Sequence, residues 1–469
     1  MRQETSDVLV VGAGAAGIVA AIEAAASSAR VTVVDAAPEP GGTAQSAGGG
    51  TCIPGSPLQR ELGLKDSPEL ALEDWMAWGG PTADVAWARR YLDAALPDVY
   101  HRLERLGVIW ASIRPQEGNT VPRWHAPAGG GSAVMRALIT EANRVGVQWR
   151  LATAVEELLV DGGSAIGVAA RDAEGPVALR ARSVLVATGG FANDSELVRA
   201  HAVVPEGTRV LLGGGQGARG AGHRMLAAVG AGFVNMDAVW MYPFATPDPL
   251  SADPDRGVAI RGMEGDIWVN RGGVRFHDEG RRGGLSGTAA LLAQEGATCW
   301  AIIDAAIAER LVVADPTYRD GVEPRRERVR ELLETSPYVN RADTVRQLAS
   351  RAGIDADALC ATISDHNDAR RSGVDLDPDF GRSLTGLQPL SEPPYFAIQL
   401  LPLARKNLGG VLTDSFCRVI DAAGQVIDGL FAAGEVAGMA GGRINGRAAL
   451  EGTMLGPSMF SGLVAGSSM

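Results

Sequence analysis

At 469 residues the chain has length for roughly three domains, and its 46% hydrophobic content with 61 glycines supplies core enough to bury a large ligand among tight turns. With 43 basic against 55 acidic side chains the formal net charge is −12, and the absence of any long basic run argues against nucleic acid or an anionic membrane surface as partner. Cys52, Cys299, Cys360 and Cys417 form no C-x-x-C pair and no Cys/His spacing suited to zinc, so a reducing compartment and no metal site are expected.

The first element is VLVVGAGAAGIVAAIEAAASSARVTVVD, residues 8–35. An apolar strand ends in Gly12, Gly14 and Gly17, an alanine-rich helix follows, and a second apolar strand ends in Asp35. This is a complete βαβ unit. Gly12 permits a tight turn, Gly14 lets backbone approach a pyrophosphate, and Gly17 allows close helix–strand packing. The N–H groups around Ala15 and Ala16 open the helix and favour an anion. Asp35 stands where a carboxylate accepts hydrogen bonds from an adenosine ribose. The residues before this unit, MRQETSD, show no signal-peptide pattern, and no stretch is long enough to span a bilayer, so a cytoplasmic protein is expected.

Residues 38–51, PEPGGTAQSAGGGT, are too glycine-rich for a strand or helix, and their backbone is expected to wrap the far end of the same ligand through Gly42, Thr43, Ser46, Gly48 and Gly49. Apolar residues at three- and four-residue spacing predict packing helices over 67–107. A glycine loop and helix follow at 124–146, then short strands near 148–151 and 167–170. SVLVATGGF ends a buried strand in Thr188, Gly189 and Gly190, which faces the same nucleotide as Gly12. From about Met236 to Pro394 the composition becomes charge-rich and reads as an inserted domain. Glycine-punctuated strands then return, with Gly434 and Glu435 after QVIDGLFAA, and the chain runs out through GRINGRAALEGTMLGPSMFSGLVAG.

GAGAAG, GGTAQSAGG, ATGGF, WVNRGGVRFHDE, NLGGV and GLFAAGEVAG occur in the order found in FAD flavoproteins of the fumarate reductase/succinate dehydrogenase type, a group that includes the 3-ketosteroid Δ1-dehydrogenases. The chain resembles that family over essentially its whole length. The resemblance implies an α/β fold: a Rossmann-like, glutathione-reductase-type FAD-binding domain from residues 1–235 and 395–469, with an inserted α+β capping domain at 236–394. It implies that Glu435 bonds the ribityl chain or ribose of FAD, and that the backbone of 452–456, including Met454 and Leu455, lies against the flavin. The glycine loop has no histidine, so noncovalent FAD is expected.

Fumarate reductases resemble this chain but use an arginine donor after the RF-x-NE segment, a relay glutamate and arginine, and histidines with an arginine to grip two carboxylates. Here Gly283 falls at the donor with Arg282 one residue short, Ala259 and Arg261 fall at the relay, and Tyr242 falls at the first histidine. The second maps near Arg405 and Lys406, and either Arg443 or Arg447 supplies the last arginine. The tyrosines of the ketosteroid enzymes are also missing from their places. The leading expectation is α,β-dehydrogenation of a small alicyclic ketone or keto acid, by hydride transfer to flavin N5 with proton abstraction at the α carbon. Tyr242 serves as base or enolate partner, Arg443 or Arg447 faces the carbonyl or a carboxylate, and His125 lines the pocket. The alternatives are reduction of a conjugated C=C bond in an unsaturated carboxylate with Arg282 as donor, and a flavoprotein subunit of an electron-transfer complex. The external electron acceptor is left open among a quinone, a dye or oxygen.

Overall fold

The computed structural model describes residues 2–321 and 323–469. They form two compact units: one gathers the chain up to Ala202 with Gly214–Trp240 and Lys406–Met469, and the other takes Val203–Gly213 and Met241–Arg405.

The first unit is built on a six-stranded sheet ordered 418–420, 426–432, 183–186, 8–11, 31–34, 148–150. All its pairings are parallel except that of Arg418–Ile420 with Val426–Ala432. Strands covered on both faces must be apolar throughout, and Val8–Val11 is buried at every residue. The sheet therefore runs outward in both directions from the pair Val8–Val11 and Ser183–Val186, and the crevice at their carboxyl ends is the point where strand order reverses. A four-stranded sheet of 2–5, 175–180, 164–172 and 154–161 and a three-stranded one of 51–52, 124–127 and 110–114 complete the unit with the helices.

One helix covers the opening strands and a second lies on it. Gly17 of Ala15–Ala26 approaches the carbonyl of Gly12 so closely that a Cβ would stand 2.0 Å from it. Leu455–Ser468 lies on the same helix, Gly462 against the Ala16 carbonyl and Gly466 against the Ala20 carbonyl, where added Cβ atoms would be 2.2 and 2.4 Å away. Both contacts advance together along the chain, so the helices run in the same direction.

The second unit is α+β. Its main sheet is ordered 267–269, 299–303, 395–407, 239–247, 257–261, 312–313, and 211–212 and 339–342 also pair with 395–407. The 13-residue strand Tyr395–Asn407 is its spine, with Cys299↔Leu400 and Leu211↔Leu403 in register. The boundary therefore falls at Arg405 rather than 394, because the apolar run YFAIQLLPLA pairs with strands of the insert. At the other edge Ala238 stays with the first unit, its carbonyl accepting from Leu408 N at 2.9 Å. All four cysteines are thiols, three of them buried. No helix among the described residues is long and apolar enough to cross a membrane.

Each unit buries a histidine whose ring nitrogens make no hydrogen bond among the described residues: His223 in the first and His366 in the second. Burial pushes His223 down from 6.5 to about 4 and His366 to about 3. Between pH 6.5 and those values the unfolded chain binds protons that the folded one does not, so stability falls as pH falls through that window. For His223 the expected loss is roughly 3 kcal/mol by pH 4. Urea midpoints at pH 7, 5.5 and 4.5 should show a decline that is shallower in His223→Leu; equal slopes would remove this residue from the acid response.

Candidate active site

The carboxyl ends of Val8–Val11 and Ser183–Val186 carry Gly12 and Thr188. Gly12 has φ +114°, and a Cβ there would meet the Ala187 carbonyl oxygen at 2.4 Å, so only glycine closes this turn. Gly14 is different. It caps the helix with φ −87°, and an added Cβ would meet nothing within 4 Å. The helix N-terminus is thus fronted by open space and has no side-chain cap, the arrangement that receives a phosphate on backbone N–H groups around Ala15 and Ala16. Gly189, φ +77°, likewise faces open space, and the buried hydroxyl of Thr188 has no hydrogen-bond partner among the described residues.

Asp35 accepts from Ala13 N at 2.6 Å on one oxygen and from Ala37 N at 2.8 Å on the other. Each oxygen retains a lone pair, so the carboxylate is fixed in place with capacity for a ribose diol. The 42–49 loop folds over this end: Gly42 comes up to Gly14, Ala47 O accepts from Gly131 N at 2.9 Å, Ser46 donates to Thr43 O, and Thr43 packs on Gly215. Gly49, φ +74°, packs on Gly131, and Gly48 on Trp124.

Gly190 and Glu435 meet through Asn407, a residue that motif reading did not single out. The Asn407 side chain accepts from Phe191 N at 3.1 Å and donates to Gly409 O and Glu435 O, while its own N–H donates to the Glu435 carboxylate at 3.2 Å. Its only mark in the sequence is its place as the first residue of the NLGGV motif. Gly434 is at φ +76°, and its N–H donates to Ser461 Oγ at 3.0 Å. Met454 and Leu455 open the last helix without a side-chain cap. Seven residues separate Leu455 from the Gly462–Ala16 contact, so its N-terminus stands about 10 Å ahead of that contact along the shared direction. Two uncapped helix ends in that stagger suit an extended dinucleotide.

The first unit also contains His125, Arg443 and Arg447. His125 is fully buried; its Nδ1–H donates to Arg123 O at 2.8 Å, and Nε2 accepts from the Ser56 hydroxyl at 2.7 Å. Burial lowers its pKa, and its two hydrogen bonds tie strand 124–127 to Ser56. Arg443 lies 3.6 Å from Asp84, and Arg447 is ion-paired with Asp237; both side chains are 48% exposed. Acidic partners within the unit thus occupy both arginines.

In the second unit Tyr242 is 4% exposed in Val239–Pro247, stacked on Phe244 at 5.0 Å between centroids. The Arg261 guanidinium lies over both rings, 5.6 Å from Tyr242 and 5.0 Å from Phe244. Arg405 also couples to Tyr242, and burial lowers its pKa. Arg282 is elsewhere in the unit, its Nε donating to Glu279 O and its Nη2 to Asp266, both at 2.8 Å. It belongs to a buried network in which Glu279 accepts from Arg275 at 2.8 Å and from Arg382 at 2.9 Å. The RFHDE motif is therefore an anchored turn of buried ion pairs.

A family described as an FAD binding domain matches residues 7–455. The sequence is 30% identical over 452 residues to the NADH:fumarate oxidoreductase of Klebsiella pneumoniae (strain 342), covering 95% of this chain but 46% of that protein, so the chain spans under half of that relative. It is 30% identical over 546 residues to a KsdD-like steroid dehydrogenase of Mycobacterium tuberculosis (strain ATCC 25618 / H37Rv), covering 98% of this chain and 95% of that one. The structure of 3-ketosteroid-Δ4-(5α)-dehydrogenase from Rhodococcus jostii RHA1 matches with a TM-score of 0.75 at 29% identity, covering 100% of this chain and 97% of that one.

The cradle fits FAD on its own features: open space before Gly14 and Gly189, the unpartnered Thr188 hydroxyl, and a carboxylate with lone pairs to spare. Gly14→Val should fold normally, by circular dichroism and melting temperature, yet purify without flavin absorbance, because its side chain fills ligand space at an ordinary φ. Gly12→Val should instead fail to fold. A flavin-loaded Gly14→Val protein would show that the ligand lies elsewhere.

Proposed function

We propose that this chain, which belongs to the FAD binding domain family, removes two hydrogens from adjacent carbons of a small alicyclic ketone or keto acid. It is an FAD-dependent oxidoreductase of the fumarate reductase and ketosteroid dehydrogenase group, a dehydrogenase or reductase acting on CH–CH bonds, and holds FAD noncovalently. The glycine loop at 42–49 carries no histidine for covalent attachment.

The observation that carries the reading is Tyr242, a buried phenol stacked on an aromatic ring beneath one guanidinium and coupled to a second. Nearby cations favour a phenolate, and a phenolate is a base strong enough for a proton α to a ketone. Bound FAD supplies the two-electron acceptor for the β-hydrogen and its bonding pair. Tyr242 takes the α-proton on its oxygen, and arginine donors stabilise negative charge gathering on the ketone oxygen. The flat Tyr242–Phe244 stack offers an apolar wall for a ring-shaped substrate. Arg443 and Arg447, held by Asp84 and Asp237, take no part in this scheme. The reverse reaction on an unsaturated carboxylate has less support, since Arg282 is committed to Asp266 and the Glu279 carbonyl.

Anaerobic addition of saturated cyclic ketones and keto acids to the FAD-loaded protein should bleach the main visible flavin band. Tyr242→Phe should slow bleaching by roughly 10²- to 10⁴-fold with flavin content unchanged. If none of these compounds bleaches the band, while an unsaturated carboxylate reoxidises dithionite-reduced protein, the reductase reading replaces this one.

A further inference from the structure

The second unit opens a cleft of about 180 Å³ between the helix Arg326–Thr335, the short helix Ala305–Ala308 and the start of the spine strand. Arg326, Val329, Arg330 and Leu333 recur at three- and four-residue spacing on the longer helix, so one face of it lines the cleft. Val329, Leu333 and Phe396 are buried and make its floor apolar. Phe396 stands directly opposite Arg341 in the ladder with Val339–Ala342, so ring and guanidinium stem share one face of the sheet. Arg326 ties the walls together, its Nη1 donating to Glu309 O at 2.8 Å and to Leu311 O at 2.9 Å. The backbone that carries Glu309 is thereby fixed at the rim.

The other charged groups of the rim are uncommitted. Among the described residues the side chains of Arg330, Arg341, Glu309 and Glu334 make no hydrogen bond and no ion pair. Arginines and acids nearby do close on each other where they can: Arg328 pairs with Glu331 at 2.7 Å on the same helix, and Arg325 pairs with Asp320 just before it. Cations and acids that line one cleft without closing on each other suit a ligand that carries both signs. A guanidinium fork matches a carboxylate, and an ammonium donates to a carboxylate. The volume limits what lies between those charges. A cavity of about 150 Å³ holds benzene, and drug-sized ligands take roughly 300–1,000 Å³, so the apolar body is a single ring or a branched alkyl group. Phe396 and Arg405 are nine residues apart on one strand, about 30 Å at roughly 3.3 Å per residue, which sets the cleft apart from the neighbourhood of Tyr242.

We infer that this cleft binds a free amino acid with an apolar side chain. Arg330 and Arg341 take its carboxylate, Glu309 and Glu334 take its ammonium, and Val329, Leu333 and Phe396 receive the side chain. The ligand is distinct from the substrate of the flavin reaction, and the site does not depend on which reaction Tyr242 performs.

Calorimetry on the FAD-loaded protein at about pH 6, where an α-amino group keeps its proton, compares L-phenylalanine with three relatives. L-phenylalaninamide lacks the carboxylate, N-acetyl-L-phenylalanine lacks the ammonium, and glycine lacks the apolar body. Phenylalanine should bind at least about tenfold more tightly than any of them. Arg341→Gln should bring phenylalanine close to its amide, and Glu309→Gln should bring it close to the acetylated form, with melting temperature and flavin content unchanged because both side chains are exposed. Arg330→Gln repeats the first comparison from the helix side should Arg341→Gln not fold. No heat at millimolar phenylalanine, or equal affinity for all four compounds, overturns the site. Binding of phenylalanine that none of the three variants weakens places the ligand elsewhere and overturns it as well. Each of these outcomes is independent of whether a cyclic ketone bleaches the flavin.

Discussion

Backbone-to-backbone approach at the strand-order reversal governs the first unit. The turn at Gly12 lies against the Ala187 carbonyl, the helix behind it lies against the Gly12 carbonyl at Gly17, and the last helix lies against the first at Gly462 and Gly466. None of these contacts leaves room for a side chain, so the cradle is defined by atoms that every residue has and that cannot change rotamer. That is why the phosphate end can be rigid without a single charged side chain supplied for the purpose. Gly14 is the exception that gives the arrangement its use, since the space in front of it is left empty.

The second unit obeys a different economy, one of charge. Asp266, Glu279 and Asp377 are buried in the company of Arg275, Arg282 and Arg382, at distances of 2.6 to 2.9 Å. Burying such groups is costly unless each finds an opposite partner, and removing one member strands the others. The network therefore contributes definition to the 266–282 segment more than net stability. Arg261 and Arg405 stand apart from it, Arg261 over the Tyr242 and Phe244 rings and Arg405 on the Gly213 carbonyl.

Sequence reading recovered the elements whose physics is local. The 8–35 unit, the buried strand before Thr188 and the loop at 42–49 announce themselves through glycine position and uninterrupted apolar runs, and all three meet at one crevice. It was less successful wherever a residue's role depends on a partner distant in sequence. His125 is fixed by Ser56 across 69 positions and Arg447 by Asp237 across 210, so neither the satisfied ring nor the paired cation could be read from its own neighbourhood. Asn407 opens the NLGGV motif, yet its tie between Phe191 and Glu435 depends on a partner 216 positions away and does not show in the motif itself. The insert boundary slipped by a strand because an apolar run looks alike whichever sheet it joins, and register partners such as Cys299 decide the matter.

The six-stranded sheet draws its members from both ends of the chain, and this orders events at the ribosome. Val8–Val11 and Ser183–Val186 emerge early, but their neighbour Val426–Ala432 and the covering helix Leu455–Ser468 follow only after the entire second unit has been made. Until then the alanine face of Ala15–Ala26 at Ala16 and Ala20 is without its cover, and the nascent first unit must wait through synthesis of the insert, which has its own sheet and can fold in the interval. Pairings of such long sequence separation form late and slowly. Cofactor capture is therefore a post-translational event for this chain, and a ligand that binds only the finished cradle pulls the equilibrium toward it by mass action. Flavin supply during expression should accordingly govern the yield of folded protein as well as its colour.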